Sequence, residues 1–590
     1  MFLVMATVVV AVVARLMYVQ GVAAGRYAAV GQAQLLHTVT VPALRGSVVD
    51  RNGEPLAMSV LQTTIVADPH QVSDPKGEAA ALAPVLGTDT ATLEQKLSQN
   101  AGFVYLARAV GDDVASQVKA LHLPGLTFLP EPKRFLPQGN LAGSVIGQVG
   151  TDGHGLGGVE YQKDGQLAGH AGSTVVERDP NGRQLPGGRV VQSAQPGQGV
   201  VLTIDRSLQF DAEQALGNEI VTSNAKGGTA VVMDARSGEI LAMANMAAGA
   251  NGGAPVQAPS NTALTGVYEP GSVTKVVTIG GALQDHVVTP DQRFTVADST
   301  RVADSVFHDA EGHPTQSMSV SDILAQSSNV GTIGIAQQLG KDKLGAYLRA
   351  FGLGKRTGLG FPGESAGLLL NPAHESGTDI ATVPIGQGEA VTAVQMLDAY
   401  NAVANGGSFV PPRLVRSTIG SDGAQHAVPT ARAHRVVSTS TAQQLTTMLQ
   451  QVVQSGTGTT AALSGYSVAG KTGTAQKPLA NGTGYQPGAY MATFVGFVPA
   501  QHPAISAIVV LDQPTPIFGG VVAAPVFAQI AQYELHRLGV PPSPPAPPSP
   551  PAPPASPGAP AQPGAPGGAS RPTTGPPTTL AGSSTTRNSP

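Results

Sequence analysis

A turn that leads into a long apolar segment is the feature that most constrains this chain. Pro270 and Gly271 cannot lie in the middle of a helix, whereas residues 276–283 have the apolar spacing of one. We therefore expect Ser272 in the first helical turn, with Lys275 three residues later on the same face. A partly desolvated lysine amine can take a proton from a serine hydroxyl, so the pattern predicts a nucleophile and its base. The start of the helix would supply N–H groups and partial positive charge for an oxyanion.

A Ser-x-x-Lys match alone leaves another reading open, which is a helix cap followed by a solvated lysine. A second motif follows downstream, where Ser327 and Asn329 stand between helices predicted at Ser319–Gln326 and Val330–Leu339. A loop between two helices can present a hydroxyl and an amide to a cleft. It can equally be a simple helix cap, because Ser and Asn favour that position.

A third motif, Lys471-Thr472-Gly473-Thr474, lies in a strand predicted from Tyr466 to Gln476. The glycine lets another backbone approach the strand closely. The lysine offers a fixed positive charge and the threonines offer hydroxyls. Such a strand suits a peptide that adds to the edge of a sheet and ends in a carboxylate.

Composition excludes several other kinds of site. The 590 residues carry a net charge of −4 without a basic stretch, so we expect no nucleic-acid partner. The absence of cysteine excludes disulfides, cysteine-based metal sites and a cysteine nucleophile. His374-Glu375 lacks the second histidine of a zinc-protease helix. We expect neither a metal nor another cofactor.

Residues 1–19 are apolar apart from Thr7 and Arg15, and they predict a membrane anchor at 1–20. No cleavage site follows them, which favours an uncleaved anchor over a signal peptide. A buried core helix is the alternative. No Lys or Arg precedes the apolar run, so we expect a short basic tail upstream of Met1, with the N-terminus cytoplasmic.

Three segments follow the anchor. Residues 21–215 contain short strands, a tight turn at Asp50 to Gly53 and no catalytic constellation, which predicts a role in support or docking. A helix at Asp205 to Ile220 leads to a hairpin of Thr229–Met233 and Ile240–Ala244, which begins an α/β segment at 216–540. Residues 541–590 are almost wholly Pro, Ala, Ser, Gly and Thr, and they predict a disordered tail.

Ser-x-x-Lys, Ser-x-Asn and Lys-Thr-Gly in this order resemble the signature of β-lactamases and penicillin-binding proteins. With the anchor and the long N-terminal half, the chain resembles the class B penicillin-binding proteins, which are monofunctional peptidoglycan D,D-transpeptidases. Four further stretches are similar to that family: Arg45-Gly46 with Asp50-Arg51-Asn52-Gly53, Gly157-Gly158-Val159-Glu160, Ile385-Gly386-Gln387-Gly388, and residues 492–499. The sequence of the N-terminal segment at 21–215, which we call the pedestal, and that of residues 471–477 look most like the septal, cell-division member of the family. An elongation or sporulation paralogue is the alternative.

The resemblance implies an α/β (α+β) transpeptidase domain with an antiparallel sheet flanked by helices, preceded by a β-rich pedestal and one transmembrane helix. It implies that Ser272 attacks the bond between two terminal D-alanines and that Lys275 accepts the proton. Ser327 would relay a proton to the leaving D-alanine, and Asn329 would bind the substrate backbone. The remaining implied site residues are Lys471, which supplies positive potential, Thr472 and Thr474, which bind the terminal carboxylate, and Gly473 between them. The oxyanion would lie between the N–H groups of Ser272 and Thr474.

The resemblance also implies the partners. These are peptidoglycan stem peptides, glycan made from lipid II, a membrane glycan polymerase, division proteins, and β-lactams as covalent inhibitors. Two rival functions stay open at this stage. One is a D,D-carboxypeptidase or β-lactamase that releases the acyl group to water, and the other is a non-catalytic scaffold or β-lactam sensor.

Overall fold

The computed structural model describes residues 1–177, 188–374, 376–479 and 484–543. Most of the Pro-rich segment predicted to be a disordered tail, from Pro544 onward, lies outside these residues, and so does Glu375.

The chain begins with an apolar helix. Helix α1 (Phe2–Met17) continues through a π-helical turn at Tyr18–Val22, and no residue from Phe2 to Val22 is buried. This helix is long and apolar enough to span a membrane. Its exposure argues against a buried core helix, because a core helix would pack its apolar side chains against other elements. Helix α2 (Ala24–Leu35) follows it.

The next part of the chain is rich in short strands. Its strands are β1 (Leu36–Val41), β2 (Val48–Val49), β3 (Pro55–Ala67), β4 (Val104–Val110), β5 (Leu126–Phe135), β6 (Gly172–Glu177), β7 (Arg189–Gln192) and β8 (Gly199–Leu202). Its helices are α3 (Pro75–Leu86), α4 (Thr90–Leu97), α5 (Asp112–Ala120), α6 (Gly143–Ile146), α7 (Gly158–Gln162) and α8 (Asp164–Leu167). Helix α9 (Arg206–Thr222) comes next and crosses the boundary that the sequence predicts at residues 215 and 216.

The C-terminal part alternates strands and longer helices. Its strands are β9 (Gly227–Asp234), β10 (Ile240–Ala247), β11 (Val256–Gln257), β12 (Arg293–Val296), β13 (Ser299–Val302), β14 (Ser305–His308), β15 (Gln316–Ser319), β16 (Ser408–Phe409), β17 (Val415–Ile419), β18 (Gln425–Ala427), β19 (His434–Arg435), β20 (Ala469–Pro478), β21 (Tyr485–Val498) and β22 (Ile505–Asp512). Its helices are α10 (Thr262–Thr265), α11 (Lys275–Gln284), α12 (Val320–Ala325), α13 (Asn329–Leu339), α14 (Lys341–Ala350), α15 (Asp379–Thr382), α16 (Ala393–Ala404), α17 (Thr439–Ser455) and α18 (Gly519–Arg537).

A six-stranded antiparallel sheet organises this C-terminal part, in the order β11-β10-β9-β22-β21-β20. Side chains alternate between its faces, as the two-residue period of a strand requires. Val231 and Met233 pack into one core with α11 and α16, whereas Ala230 and Val232 pack into another with α9 and α18. The predicted antiparallel sheet flanked by helices is confirmed.

A second sheet contains strands from both halves of the chain. Its order is β18-β17-β8-β2-β3-β4, and β5 pairs with β3. Strand β2 lies parallel to β8 and antiparallel to β3, and the turn between β2 and β3 is the predicted one at Asp50 to Gly53. The Asp50 carboxylate stabilises this turn by accepting hydrogen bonds from the backbone N–H groups of Asn52 and Glu54.

A buried ion-pair network joins two stretches of the pedestal that the sequence analysis singled out, Arg45-Gly46 and Gly157-Gly158-Val159-Glu160. Glu160 accepts hydrogen bonds from Arg45 at 2.6 Å and from Arg134 at 2.8 Å, and its side chain is only 1% exposed. Arg45 also pairs with Asp164, and Arg134 donates to the backbone oxygen of Gly46. A buried charge is tolerable only when it is paired, so each member of this network depends on the others.

Replacing Glu160 with Ala would leave the buried guanidinium of Arg45 and the mostly buried one of Arg134 without their shared carboxylate. We expect a loss of about 3–5 kcal/mol in the free energy of unfolding, measured by denaturant unfolding of the detergent-solubilised chain. Glu54→Ala is the matched control, because the Glu54–Arg206 pair is exposed and should contribute at most about 1 kcal/mol. Equal effects of the two substitutions would contradict a structural role for the network.

Candidate active site

The predicted nucleophile lies on a short helical turn. Residues Gly271–Thr274 form one turn of 3₁₀ helix that runs directly into α11, so Ser272 stands one turn before that helix. Gly271 has a φ of +60° and donates its N–H to the backbone oxygen of Gly386. Gly386 is packed so tightly here that a Cβ on it would clash with the backbone of Gly271. The loop that carries Gly386 therefore fixes the position of the turn.

Lys275 is fully buried at the start of α11, and its amine points to the loop between α12 and α13. Its Nζ donates to the Ser327 backbone oxygen at 2.5 Å, to Ser327 Oγ at 3.2 Å and to Asn329 Oδ1 at 2.7 Å. Burial lowers the pKa of Lys275 to about 7, against the opposing effect of the Asp309 charge. A substantial fraction of this amine is therefore neutral near pH 7, as a general base requires.

Ser272 itself is half-buried. Its hydroxyl makes no hydrogen bond within the described part of the chain, whereas the Lys275 amine is bonded to the Ser-x-Asn loop. A proton transfer from Ser272 to Lys275 would thus begin once the hydroxyl is oriented by a bound substrate. Such hydrogen bonds are often absent before the substrate is bound.

The Ser-x-Asn loop combines two roles that the sequence left as alternatives. Ser328 is the helix cap, because its Oγ accepts the N–H of Gly331 at 2.9 Å. Ser327, with a φ of +62°, and Asn329 instead contact the Lys275 amine. One tripeptide therefore starts α13 and also supplies polar groups to the cleft.

Asp309 holds this loop in place, and the sequence analysis missed it. Its Oδ1 accepts the N–H groups of Asn329 and Val330 at 2.5 and 2.9 Å, and its Oδ2 accepts the Ser328 hydroxyl at 2.7 Å. His313 lies 2.9 Å from Oδ2 and faces the same carboxylate. Asp309 precedes Ser328 by 19 residues, so no local pattern could have placed it at the start of α13.

The third motif lies on β20, which is the last strand of the six-stranded sheet. A Cβ on Gly473 would lie 3.0 Å from the Pro270 oxygen and 3.1 Å from Val273, so the nucleophile turn packs directly on this strand. The predicted start of the strand at Tyr466 is wrong by three residues. Tyr466 belongs to a turn instead, where its N–H bonds to the Leu463 oxygen.

Lys471 is also fully buried. Its Nζ donates to the backbone oxygen and Oγ1 of Thr472, at 3.1 and 3.4 Å. Burial lowers the pKa of Lys471 well below its ordinary value, and the charge of Lys275 lowers it further. The protein's own groups therefore do not favour the fixed positive charge that the sequence predicted here. A substrate carboxylate would favour it, because an opposite charge raises the pKa of an amine.

The two threonines of the motif have partners from other elements. Thr472 Oγ1 lies 2.6 Å from Thr457 Oγ1, and Thr474 Oγ1 accepts the N–H of Gly519 at the start of α18, at 3.3 Å. The contacts thus bring together the residues predicted from the three motifs, which are Ser272, Lys275, Ser327, Asn329, Lys471, Thr472, Gly473 and Thr474. Within the described ranges, no three acidic or histidine side chains are grouped to hold a metal ion.

Comparison with known proteins covers both halves of the chain. Residues 228–532 match the penicillin binding protein transpeptidase domain, and residues 40–202 match the penicillin-binding protein dimerisation domain. Penicillin-binding protein PbpB of Mycobacterium tuberculosis is 37% identical over 550 residues, which cover 87% of this chain and 80% of the relative. Peptidoglycan D,D-transpeptidase FtsI of Escherichia coli is 32% identical over 531 residues, which cover 87% of each chain.

Among solved structures, penicillin-binding protein 3 of Mycobacterium tuberculosis in complex with ampicillin is similar with a TM-score of 0.68 and 33% identity. The match covers 87% of this chain and 99% of that chain. The three motifs in one cleft, the pedestal network and these matches agree, and the chain belongs to the class B penicillin-binding proteins.

Proposed function

We propose that this chain is a peptidoglycan D,D-transpeptidase that cross-links stem peptides through an acyl-enzyme on Ser272. The observation that carries the proposal is the buried amine of Lys275, which is bonded to Ser327 and Asn329 and has a pKa of about 7. An amine in this state beside a serine is suited to activate the hydroxyl as a nucleophile.

In the first step, Ser272 Oγ attacks the carbonyl carbon between the two terminal D-alanines, and its proton passes to Lys275. The carbonyl oxygen becomes an oxyanion between the backbone N–H groups of Ser272 and Thr474. One such donor typically lowers the activation free energy by about 3–4 kcal/mol. When the carbon–nitrogen bond breaks, Ser327 relays the proton from Lys275 to the leaving amine. D-Alanine departs, and the rest of the stem peptide stays attached to Ser272 as an ester.

The donor peptide is held along β20. Its backbone adds to the outer edge of the strand, and Asn329 binds its amide. The terminal carboxylate lies against Lys471, Thr472 and Thr474, and its negative charge favours the protonated form of the buried lysine. Carboxylate binding and charging of Lys471 are thus coupled.

In the second step, the amine of a neighbouring stem peptide attacks the ester carbon. The amine gives its proton to Lys275, which returns it to the departing Ser272 oxygen. The net reaction exchanges one amide for another and releases one D-alanine. β-Lactams acylate Ser272 in the same way, and their acyl group stays attached, because members of this family lack a base that is well placed to activate water.

The N-terminal helix anchors the chain in the cell membrane as a single-pass protein, with its N-terminus in the cytoplasm and both folded parts outside. In that location it receives glycan that a membrane polymerase builds from lipid II. We assign it to septal wall synthesis with division proteins as partners, because its motifs look most like the septal member and its relatives include FtsI and PbpB. Reconstitution with a membrane glycan polymerase and lipid II tests the reaction directly, since cross-linked muropeptides should appear and should be lost in Lys275→Ala.

Substitution of the nucleophile gives a first prediction. Ser272→Ala should abolish covalent labelling by a fluorescent penicillin while the thermal unfolding transition is retained. Lys275→Ala should slow labelling on the order of 10²–10⁴-fold, since it removes the base. Ser421→Ala, at an exposed serine in a surface turn, is the matched control and should label normally. Undiminished labelling of Ser272→Ala would overturn the assignment.

The fate of the acyl group gives a second prediction. With the chromogenic cephalosporin nitrocefin, the protein should show one burst of about one equivalent and then almost no turnover. Rapid steady hydrolysis would instead identify a β-lactamase or carboxypeptidase type of hydrolase. Labelling without any cross-linking in the presence of the polymerase would favour a sensor or scaffold.

The titration of Lys275 gives a third prediction. The rate constant of acylation should rise with pH with a midpoint of about 7, because only the neutral amine accepts a proton. Asp309→Asn removes a charge that raises this pKa, so the midpoint should move to lower pH. Its maximal rate constant should also fall on the order of tenfold, because the Ser-x-Asn loop loses a hydrogen-bond acceptor.

Asp304→Asn is the matched control for this experiment, because Asp304 is an exposed residue on the turn before β14. It removes the same charge without touching the loop, and its pH profile should equal that of the unmodified protein. A midpoint in Asp309→Asn that is unchanged or higher would contradict the proposed coupling between Asp309 and Lys275.

A further inference from the structure

A buried carboxyl group that the mechanism does not use lies under the nucleophile turn. Glu389 is 1% exposed and follows directly on the loop Ile385–Gly388, whose residue Gly386 packs on Gly271. Its Oε1 accepts the hydroxyl proton of Thr274 at 3.0 Å. Thr274 is itself fully buried and lies between Ser272 and Lys275 in the sequence. Glu389 is therefore one hydrogen bond away from the turn that presents the nucleophile.

The surroundings of Glu389 do not suit a negative charge. Its Oε2 is buried and has no hydrogen-bond partner in the described ranges. The charge of Glu269 acts on Glu389, and the oxygens of Glu269 accept the N–H of Gly388 and the hydroxyl of Tyr485, each at 3.0 Å. An ionised Glu389 would thus have an unpaired charged oxygen and a second carboxylate beside it, both of which are costly away from water.

Two other titratable groups near the turn are bonded to groups other than Glu389. The amine of Lys275 is bonded to Ser327 and Asn329, and Tyr400 of α16 donates its hydroxyl to the backbone oxygen of Val273 at 2.9 Å. Burial and, to a smaller extent, the charge of Glu269 raise the pKa of Glu389 to about 8. The hydrogen bond from Thr274 opposes this shift. Glu389 is therefore mostly neutral at pH 7.

We infer that Glu389 is a positioning residue: its neutral form holds the turn of Ser272 in place, and its ionisation at alkaline pH displaces that turn and slows acylation. Displacement is expected because a charged Glu389 is repelled by Glu269 and draws in water. The loop Ile385–Gly388, which directly precedes Glu389, cannot move without the nucleophile turn, since Gly386 is in close contact with the Gly271 backbone. The inference rests on the proposed roles of Ser272 and Lys275 and adds a regulating group to their site.

The test is the pH dependence of acylation, followed by stopped-flow with a fluorescent penicillin from about pH 5 to 10. The unmodified protein should show a bell-shaped profile, with a rise near 7 from Lys275 and a fall near 8 from Glu389. One titration with a pKa of about 8 should reduce the rate constant about tenfold by about pH 9.

Glu389→Gln keeps the shape and an acceptor oxygen but cannot ionise. We expect its rate at neutral pH to stay within about threefold of the unmodified protein, and the fall near pH 8 to disappear or to move up by at least about one pH unit. Asp398→Asn is the matched control, because Asp398 is another buried carboxyl with a raised pKa, and its charge partners are Glu364 and Lys355 rather than groups of the nucleophile turn. Its profile should keep the alkaline fall.

A second variant keeps the inference testable if Glu389→Gln does not fold. Thr274→Val removes the hydrogen bond that lowers the pKa of Glu389, so the alkaline fall should move to higher pH. An alkaline fall that is unchanged in both variants would overturn the inference and assign the titration to another group, such as Lys471. Peptide mapping of the label separates this failure from failure of the proposed function, because only the latter would place the label away from Ser272.

Discussion

The buried amine of Lys275 is the interaction on which the rest of the site depends. A lysine in water is protonated and inert as a base, and only removal from water brings its pKa to about 7. Burial alone would be costly, because an amine without partners loses its hydration. The oxygens of Ser327 and Asn329 compensate for that loss, and Asp309 holds them in position. The amine of Lys275 therefore connects the start of α11, next to the nucleophile turn, to the loop that carries Ser327.

Much of this arrangement could be predicted from local sequence. Pro270 and Gly271 exclude a helix before Ser272, and the apolar run after it requires one, so the nucleophile had to lie at a helix start. The hairpin of β9 and β10 could be predicted in the same way, since two apolar runs flank a turn. The order of the three motifs then indicated the family, and the antiparallel sheet with helices on both faces followed from it.

The remaining features depend on contacts between distant residues. Asp309 lies 19 residues before Ser328, the cap of the helix that it stabilises, and Glu389 lies 115 residues after Thr274, so neither could be assigned from spacing. The charge of Lys471 was predicted from residue type alone, whereas burial and Lys275 oppose it. Strand β17 has five residues, and its pairing with β8 spans the intervening residues 203–414, which carry the first two motifs. Local patterns carry no information on such pairings.

The sheet shared by β8 and β17 has a consequence for dissecting the protein. Strands β17 and β18 arise late in the chain yet complete the sheet of the pedestal. A fragment that begins after the pedestal would leave β17 with an unpaired, partly apolar edge, and such edges promote aggregation. We therefore expect that the pedestal cannot be deleted without exposing this edge. Movement of this sheet would be transmitted through β17 to the segment that follows α16. The pedestal and the C-terminal part are thus connected by a shared sheet as well as by the chain itself.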